Sequence, residues 1–377
     1  MKYIYHVPSV CFFLSIFSAS FVLNADPFVK VGELVDITFN GNVNLKSDTN
    51  IFRTKDDAVS DTVLVTSPGF KAKLGKDGSE FDINAGVSYD LVKYQDRKDL
   101  DTELLHYNAS GAFSGSRLVV NGSFSFDESK SNNNNDVDTD DLTERESTSY
   151  NFLSEYKLSP KFSVSLGYNY LETNYVGKYA ITSSDLTLTR IPFKVFYELS
   201  PKLDLSVGYT RGKVDPELAK SYNTNYYNVG LRGVILPKLS GSFDVGFNDR
   251  AGKSRTIGAN GSLSWLVNPK LTSIFNFSRD FSASSTSVDT LETNLGAKFN
   301  YLYSTQITFS MFSNMAIREY ANSSRNDDLI TMGISSFYSI NSNLQANMGY
   351  QRQTNDSTDN RFNYTDNILN IGLTLTY

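Results

Sequence analysis

Three features of the sequence predict an all-β fold, a transmembrane antiparallel β-barrel of the outer-membrane type with about 18 strands (16–18). Apolar and polar residues alternate in short runs along nearly the whole chain, the periodicity of strands with two unlike faces. A turn phrase recurs, as Tyr-Lys-Leu-Ser-Pro-Lys-Phe from Tyr156 and as Tyr-Glu-Leu-Ser-Pro-Lys-Leu from Tyr197. Short turns alternate with long polar connections, the asymmetry of barrels that have short turns on one side of a membrane and long loops on the other.

The chain begins with Met1 and Lys2, then an apolar run over residues 10–23, then Ala25 before the polar Asp26 and Pro27. The run is too short for a spanning helix. It predicts a cleaved secretory signal at 1–25, followed by a short periplasmic segment at 26–33 and the barrel at 34–377. Cys11, the single cysteine, falls inside that signal, so the mature chain is held by neither disulfides nor cysteine metal sites. Loss of Lys2 takes the net charge from −6 to −7, which argues against nucleic acid as a partner. Mean hydropathy of −0.31 excludes a bundle of membrane helices.

Turn centres fall near Asp77, Gly115, Pro160, Pro201, Pro237, Pro269, Ser304 and Ser342, successive spacings of 38, 45, 41, 36, 32, 35 and 38 residues. Each centre joins two alternating strands into a hairpin. Eight hairpins give sixteen strands; an opening strand near 34–45 and a closing strand at 367–377 make eighteen. Longer loops are expected at 47–60, 129–146, 174–184 and 354–363. An even number of strands returns both ends to the periplasmic side.

The strands leaving the turns put Phe81, Ile83 and Val87, or Phe162, Val164 and Leu166, on one face and Asn, Ser, Thr, Asp or Gly on the other. In a barrel these faces meet lipid and lumen. The chain has 23 tyrosines and 26 phenylalanines, and tyrosines gather at strand ends. Tyr156, Tyr197, Trp265, Tyr301, Tyr303 and Tyr338 precede short turns; Tyr89, Tyr168, Tyr170, Tyr209 and Tyr350 follow them about a bilayer's width later, so two interfacial girdles are expected. The alternation changes phase between Val63, Val65 and Phe70, Ala72, Leu74, which predicts a β-bulge at Pro68 and Gly69 and a similar disturbance at Pro192.

At about eighteen strands a barrel can enclose an aqueous channel. Candidate lumen residues are Asp82, Asp90, His106, Asp204, Arg232, Asp244, Asn343, Gln345 and Asn347, a mostly neutral wall with scattered carboxylates and one cation, suited to hydroxyl-rich solutes. Lys93, Arg211, Arg279 and Arg352 lie two positions beyond the outer girdle and are candidates for lipopolysaccharide phosphates. His106, the one histidine of the mature chain, shares a face with Asn108 and Ser110 without a nucleophile–base motif, so no enzyme is expected. The acidic loop at 132–141 has neither the central glycine nor the spaced glutamate of a calcium loop, and no metal or cofactor is expected.

Ser47, Asp48, Thr49, Asn50, Ile51 and Phe52, then Ser60 and Asp61, then Ser67, Pro68, Gly69 and Phe70, resemble the opening of the family called putative β-barrel porins, with Thr49 where that family usually has serine. The resemblance implies an outer-membrane barrel of exopolysaccharide gene clusters, a passive conduit assisting polysaccharide or capsule export. It implies periplasmic polysaccharide-export proteins among the partners, besides outer-membrane lipids, lipopolysaccharide and the β-barrel assembly machinery. The alternatives are a general diffusion porin for small polar solutes and a non-conducting surface barrel with adhesive loops. Leu369, Ile371, Leu373, Leu375 and Tyr377 form an apolar-alternating last strand that looks like the signal read by that machinery.

Overall fold

The computed structural model describes residues 27–32, 34–75, 79–132, 141–177, 183–250, 255–283, 288–321 and 323–377. The expected signal at 1–25 and Asp77 lie outside them, as does most of the acidic loop at 132–141. The strands are β1 (Val29–Val31), β2 (Val35–Asp48), β3 (Asp61–Leu74), β4 (Phe81–Tyr94), β5 (Thr102–Ser114), β6 (Leu118–Ser131), β7 (Thr143–Lys157), β8 (Phe162–Val176), β9 (Leu186–Ser200), β10 (Leu203–Pro216), β11 (Tyr222–Leu236), β12 (Leu239–Arg250), β13 (Thr256–Asn268), β14 (Leu271–Ala283), β15 (Asp289–Leu302), β16 (Ile307–Tyr320), β17 (Asn326–Ser339), β18 (Leu344–Ser357) and β19 (Tyr364–Thr376).

From β2 onward every strand pairs antiparallel with the next, and β19 pairs with β2, from Ile368 opposite Asp48 to Thr376 opposite Asn40. The result is a closed barrel of eighteen strands, β2 to β19, with no free edge. The Tyr377 carbonyl accepts the Phe39 N–H at 2.6 Å and the Tyr377 N–H donates back at 2.9 Å, extending the seam by one rung. The segment expected to be a plain periplasmic lead contains β1, which folds back on the start of β2, and Phe28 meets the Tyr377 ring edge-on at 5.9 Å.

Seven of the eight short turns fall where the sequence places them, and β3 and β4 flank the remaining one, whose centre at Asp77 lies outside the described residues. The barrel strands run 12 to 15 residues, longer than the ~9–11 that cross a bilayer, so they project beyond it. The loops are correspondingly shorter than expected: β6 reaches Ser131 and β7 starts at Thr143 within the stretch assigned to a loop.

The apolar face points outward. Phe81, Ile83, Val87, Phe162, Leu166, Leu369, Ile371, Leu373 and Leu375 are all exposed on the protein surface, as a lipid-facing band requires. Tyr156, Tyr197, Trp265, Tyr301 and Tyr338 are exposed at the turn end. At the loop end three girdle tyrosines share one diagonal contact. Tyr89 reaches Glu103, Tyr209 donates to Asn225 Oδ1 at 2.8 Å, and Tyr350 donates to Asn367 Oδ1 at 2.8 Å. Each partner lies on the next strand, two positions nearer the loops.

The expected bulge at Pro68 does not form. The register of β3 with β2 is unbroken from Val35 opposite Leu74 to Asp48 opposite Asp61. With β4, the pairing stops at Thr66 and resumes at Gly69 in the same register. Proline has no N–H to donate, so the ladder loses rungs without slipping. Val63 and Val65 therefore face inward, with Leu64 out, and Val63 is only 4% exposed. Pro192 behaves alike: pairing of β9 with β8 skips from Leu166 to Asn169 and keeps register.

Candidate functional site, a polar lumen with a narrowed mouth

The barrel encloses a cavity of about 1820 Å³, bordered by β4 through β16 and by Arg53 of the loop after β2. Most side chains on its wall are polar, as the alternation dictates, with inward leucines such as Leu171 and Leu188 among them, but it is not the nearly neutral wall with a single cation that was expected. Cations and carboxylates cancel in pairs that span several strands. Lys194 on β9 holds both oxygens of Asp244 on β12 at 2.7 Å. The side chain reaches across β10 and β11 because glycines flatten the wall there. A Cβ on Gly208 would stand 3.0 Å from Lys194 Cγ, and one on Gly230 would stand 2.6 Å from the Phe243 carbonyl oxygen. Arg232 on β11 grips Glu155 on β7 with two bonds of 2.6 Å and Asp204 on β10 at 2.9 Å. Its guanidinium lies 3.4 Å above the inward ring of Phe196. Such planar, fully used guanidiniums are fixed more firmly than single ion pairs.

The loop end is narrowed in two sectors. Residues 49–60 fold back over the inner face of β3 and β4. Phe52, 1% exposed, packs with Ile51, Leu100 and Leu142 against Val59 and Tyr94. Arg97 lies 4.9 Å over the Phe52 ring, and Asn132 donates to the Phe52 carbonyl. Asn50 sets the fold of this loop. Its side chain donates to Thr54 O at 2.8 Å and Thr365 O at 3.2 Å and accepts the Thr54 N–H at 3.0 Å. Asp61 ties in the next loop by accepting the backbone N–H groups of Gln95, Asp96 and Arg97 at 2.9–3.2 Å. In that loop the Arg97 guanidinium beside Asp99 holds its carboxyl below the usual carboxylate range, and Arg361 does the same to Asp359 in the last loop.

The second closed sector lies over β16 to β19. Asp327, fully buried, accepts from Tyr320, Ser357 and Arg325, and Arg325 stacks 3.5 Å above Phe362. Opposite, the mouth is bridged from β9 to β14 by Arg190 and Asp280 at 2.7 Å, and from β11 to β14 by Tyr222 donating to Ser282 O at 3.1 Å.

The family described as putative beta-barrel porin 2 matches the chain over residues 37–377, the whole barrel except the first two residues of β2. The chain belongs to this family. It is an outer-membrane, porin-like β-barrel channel. No curated protein matches the chain. Among solved structures, OccAB4 of Acinetobacter baumannii is 10% identical, with a TM-score of 0.49 over 92% of this chain and 99% of that one. The outer membrane channel DcaP of Acinetobacter baumannii is 12% identical, with a TM-score of 0.45 over 93% and 100%. The siderophore receptor PirA of Pseudomonas aeruginosa is 9% identical, with a TM-score of 0.46 over 90% and 80%.

In this porin the residues singled out in the sequence separate into groups. Asp90, His106, Asp204, Arg232 and Asp244 border the cavity. His106 stands between two carboxylates, Asp127 at 3.2 Å and Asp90 at 3.4 Å. Asp82 is on the same face at the turn end, accepting from Asn84 at 2.8 Å. Asn343 is not a wall residue. It lies in the turn after β17, its side chain donating to Thr376 O at 2.9 Å. Gln345 and Asn347 face inward on β18, but among the described residues no part of β17, β18, β19, β2 or β3 borders the cavity. Gln345 is buried, and Asn347 is bonded from Asn370 at 3.3 Å.

Lys194 and Arg190 were missed, although Tyr197 on the outward face fixes the parity that turns both inward. Of the rim cations, Lys93 pairs with Asp101 at 3.2 Å and Arg279 with Glu319 at 3.2 Å. Arg211 and Arg352 are exposed on the outward face and stand in no salt bridge among the described residues.

Proposed function

We propose that the chain is a passive conduit for hydroxyl-rich solutes, with the exported polysaccharide strand implied by its opening motif as first cargo. The observation that supports this reading is the paired wall. A pore lined by one sign of charge concentrates ions of the other sign, whereas a wall whose charges cancel favours neither. Besides those pairs, a passing solute meets Ser, Asn and Thr side chains that exchange hydrogen bonds with hydroxyls, and inward leucines such as Leu153, Leu171 and Leu188 that offer apolar contact. Binding along such a wall is weak and repeated, as conduction requires. Arg211 and Arg352, free of acidic partners among the described residues, are the candidates left for lipopolysaccharide phosphates on the outside.

A second reading, general diffusion of small polar solutes, is favoured by the bridged mouth. On this reading small molecules would pass with the Arg190–Asp280 bridge and the 49–60 loop in place, whereas a polymer would need them displaced. Swelling of proteoliposomes in neutral oligosaccharides of rising length separates the two. Export predicts entry of chains well beyond a disaccharide, and a deletion strain that loses surface polysaccharide while small-solute uptake persists. Entry that ends at small sugars assigns the second reading, and no swelling in any sugar overturns both.

A further inference from the structure

One position is equivalent in all eight short turns: the residue immediately before the outgoing strand. In each turn its carbonyl accepts the backbone N–H at the end of the following strand, at 2.7–2.9 Å. In five consecutive turns that residue is a cation: Arg117, Lys161, Lys202, Lys238 and Lys270. The turns on either side carry Glu80, Gln306 and Asn343 there. All five cations are exposed, and none stands in a salt bridge among the described residues. Lys238 and Lys270 reach only backbone carbonyls of the neighbouring strand ends, at 3.3 and 3.5 Å. Neighbouring turns are two strands apart, so the cations follow one another at about 10 Å.

The arc and the cavity share a side. Arg117, Lys161 and Lys202 border the cavity at its turn end, with Lys157 beside them. Of the inward carboxylates at this end of the sector, Glu155 and Asp204 are held by Arg232, leaving Glu198. Lipid does not account for the arrangement. It surrounds the whole barrel, and the aromatic girdle accordingly continues past the arc to Tyr301, Tyr338 and Tyr377, whereas the cations stop. A ligand that needs cations on one side only, where the cavity opens, is one that enters the cavity.

We infer that the turn-side entrance recruits a carboxylate-bearing glycan chain, caught by the arc of Arg117, Lys161, Lys202, Lys238 and Lys270 and released into the charge-balanced lumen. This rests on the conduit reading and names the class of its cargo. The arc raises the local concentration of acidic chains, and the paired wall beyond does not hold their carboxylates.

The test is block of single-channel current in a planar bilayer of neutral lipid, by polygalacturonate or by uncharged dextran of the same length, added to one side at a time. Polygalacturonate on the turn side is expected to block at lower concentration than dextran, and the difference shrinks as salt rises. Replacing all five cations by Gln is expected to weaken that block about tenfold, the sum of five weak exposed pairs, while leaving the dextran response unchanged. The salt dependence of the unaltered protein tests the same point should the five-fold variant fail to assemble. Equal block by the two polymers, or polygalacturonate block unaltered in the variant, overturns the inference and leaves the conduit reading standing if dextran still enters. Failure of both polymers to enter sinks the conduit reading itself. A variant that changes only co-purified phosphatidylglycerol assigns the arc to lipid and overturns the inference.

Discussion

Phe52→Ala is expected to raise the open-channel conductance by unseating the loop at 49–60. The loop is held over the mouth by a small cluster of Ile51, Phe52, Leu100 and Leu142. Removing a buried phenyl ring costs about 3–5 kcal/mol in a packed core, a large share of what a cluster of four buried side chains supplies. Asn50→Ala should act in the same direction by a different route. It removes three hydrogen bonds, one of which ties the loop to Thr365 at the start of β19, and leaves buried backbone groups unpaired at about 1–3 kcal/mol each. Leu64→Ala, on the lipid side of β3, is the control and should leave conductance as it was. Single-channel recording with limited proteolysis of the loop checks this. A Phe52→Ala barrel with unchanged conductance and a protected loop would show that the cluster does not narrow the path.

Deleting Tyr377 is expected to abolish or strongly reduce assembly of the heat-modifiable barrel. Two hydrogen bonds at the seam depend on its backbone, both to Phe39, and its ring meets Phe28. Where β19 meets β2 at the turn end, loss of these bonds leaves polar backbone groups facing lipid, at several kcal/mol each. Tyr377→Phe keeps the bonds and the ring and should assemble normally; Tyr377→Ala keeps only the bonds and should fall between. Heat-modifiability of the membrane fraction reads the outcome. Normal barrel levels without the residue would remove both the seam and the assembly-signal role from Tyr377.

The barrel was legible because its information is local. A two-residue period and a turn phrase every few dozen residues place strands and turns without any long-range contact. The parity of most strands followed from the same pattern, which is why Asp90, His106, Asp204, Arg232 and Asp244 were placed on the wall. Parity failed at β3, where inward Val63 and Val65 mimic a lipid face because the inner wall there is covered by the loop that carries Phe52. The mouth was not legible at all. Asn50, Phe52 and Asp61 belong to the motif that marks the family, yet their work is done against Thr365, Leu100, Leu142 and residues 95–97, far away in sequence. The ion pairs of the wall were half legible: each member has a readable parity, but a bond from β7 to β11 or from β9 to β14 depends on how closely the strands approach across the lumen.

The electrically balanced wall is tested most directly by the reversal potential of the purified barrel in a planar bilayer under a KCl gradient. At about 1 M salt the Debye length is about 3 Å, so the exposed turn-side cations are screened while the wall pairs keep their partners. The unaltered channel is predicted to conduct with a reversal potential near zero, and Lys194→Met, which strips Asp244 of its partner, to shift it toward cation selectivity. A strongly ion-selective unaltered channel, or one that Lys194→Met leaves unchanged, would contradict a lumen whose charges cancel in pairs.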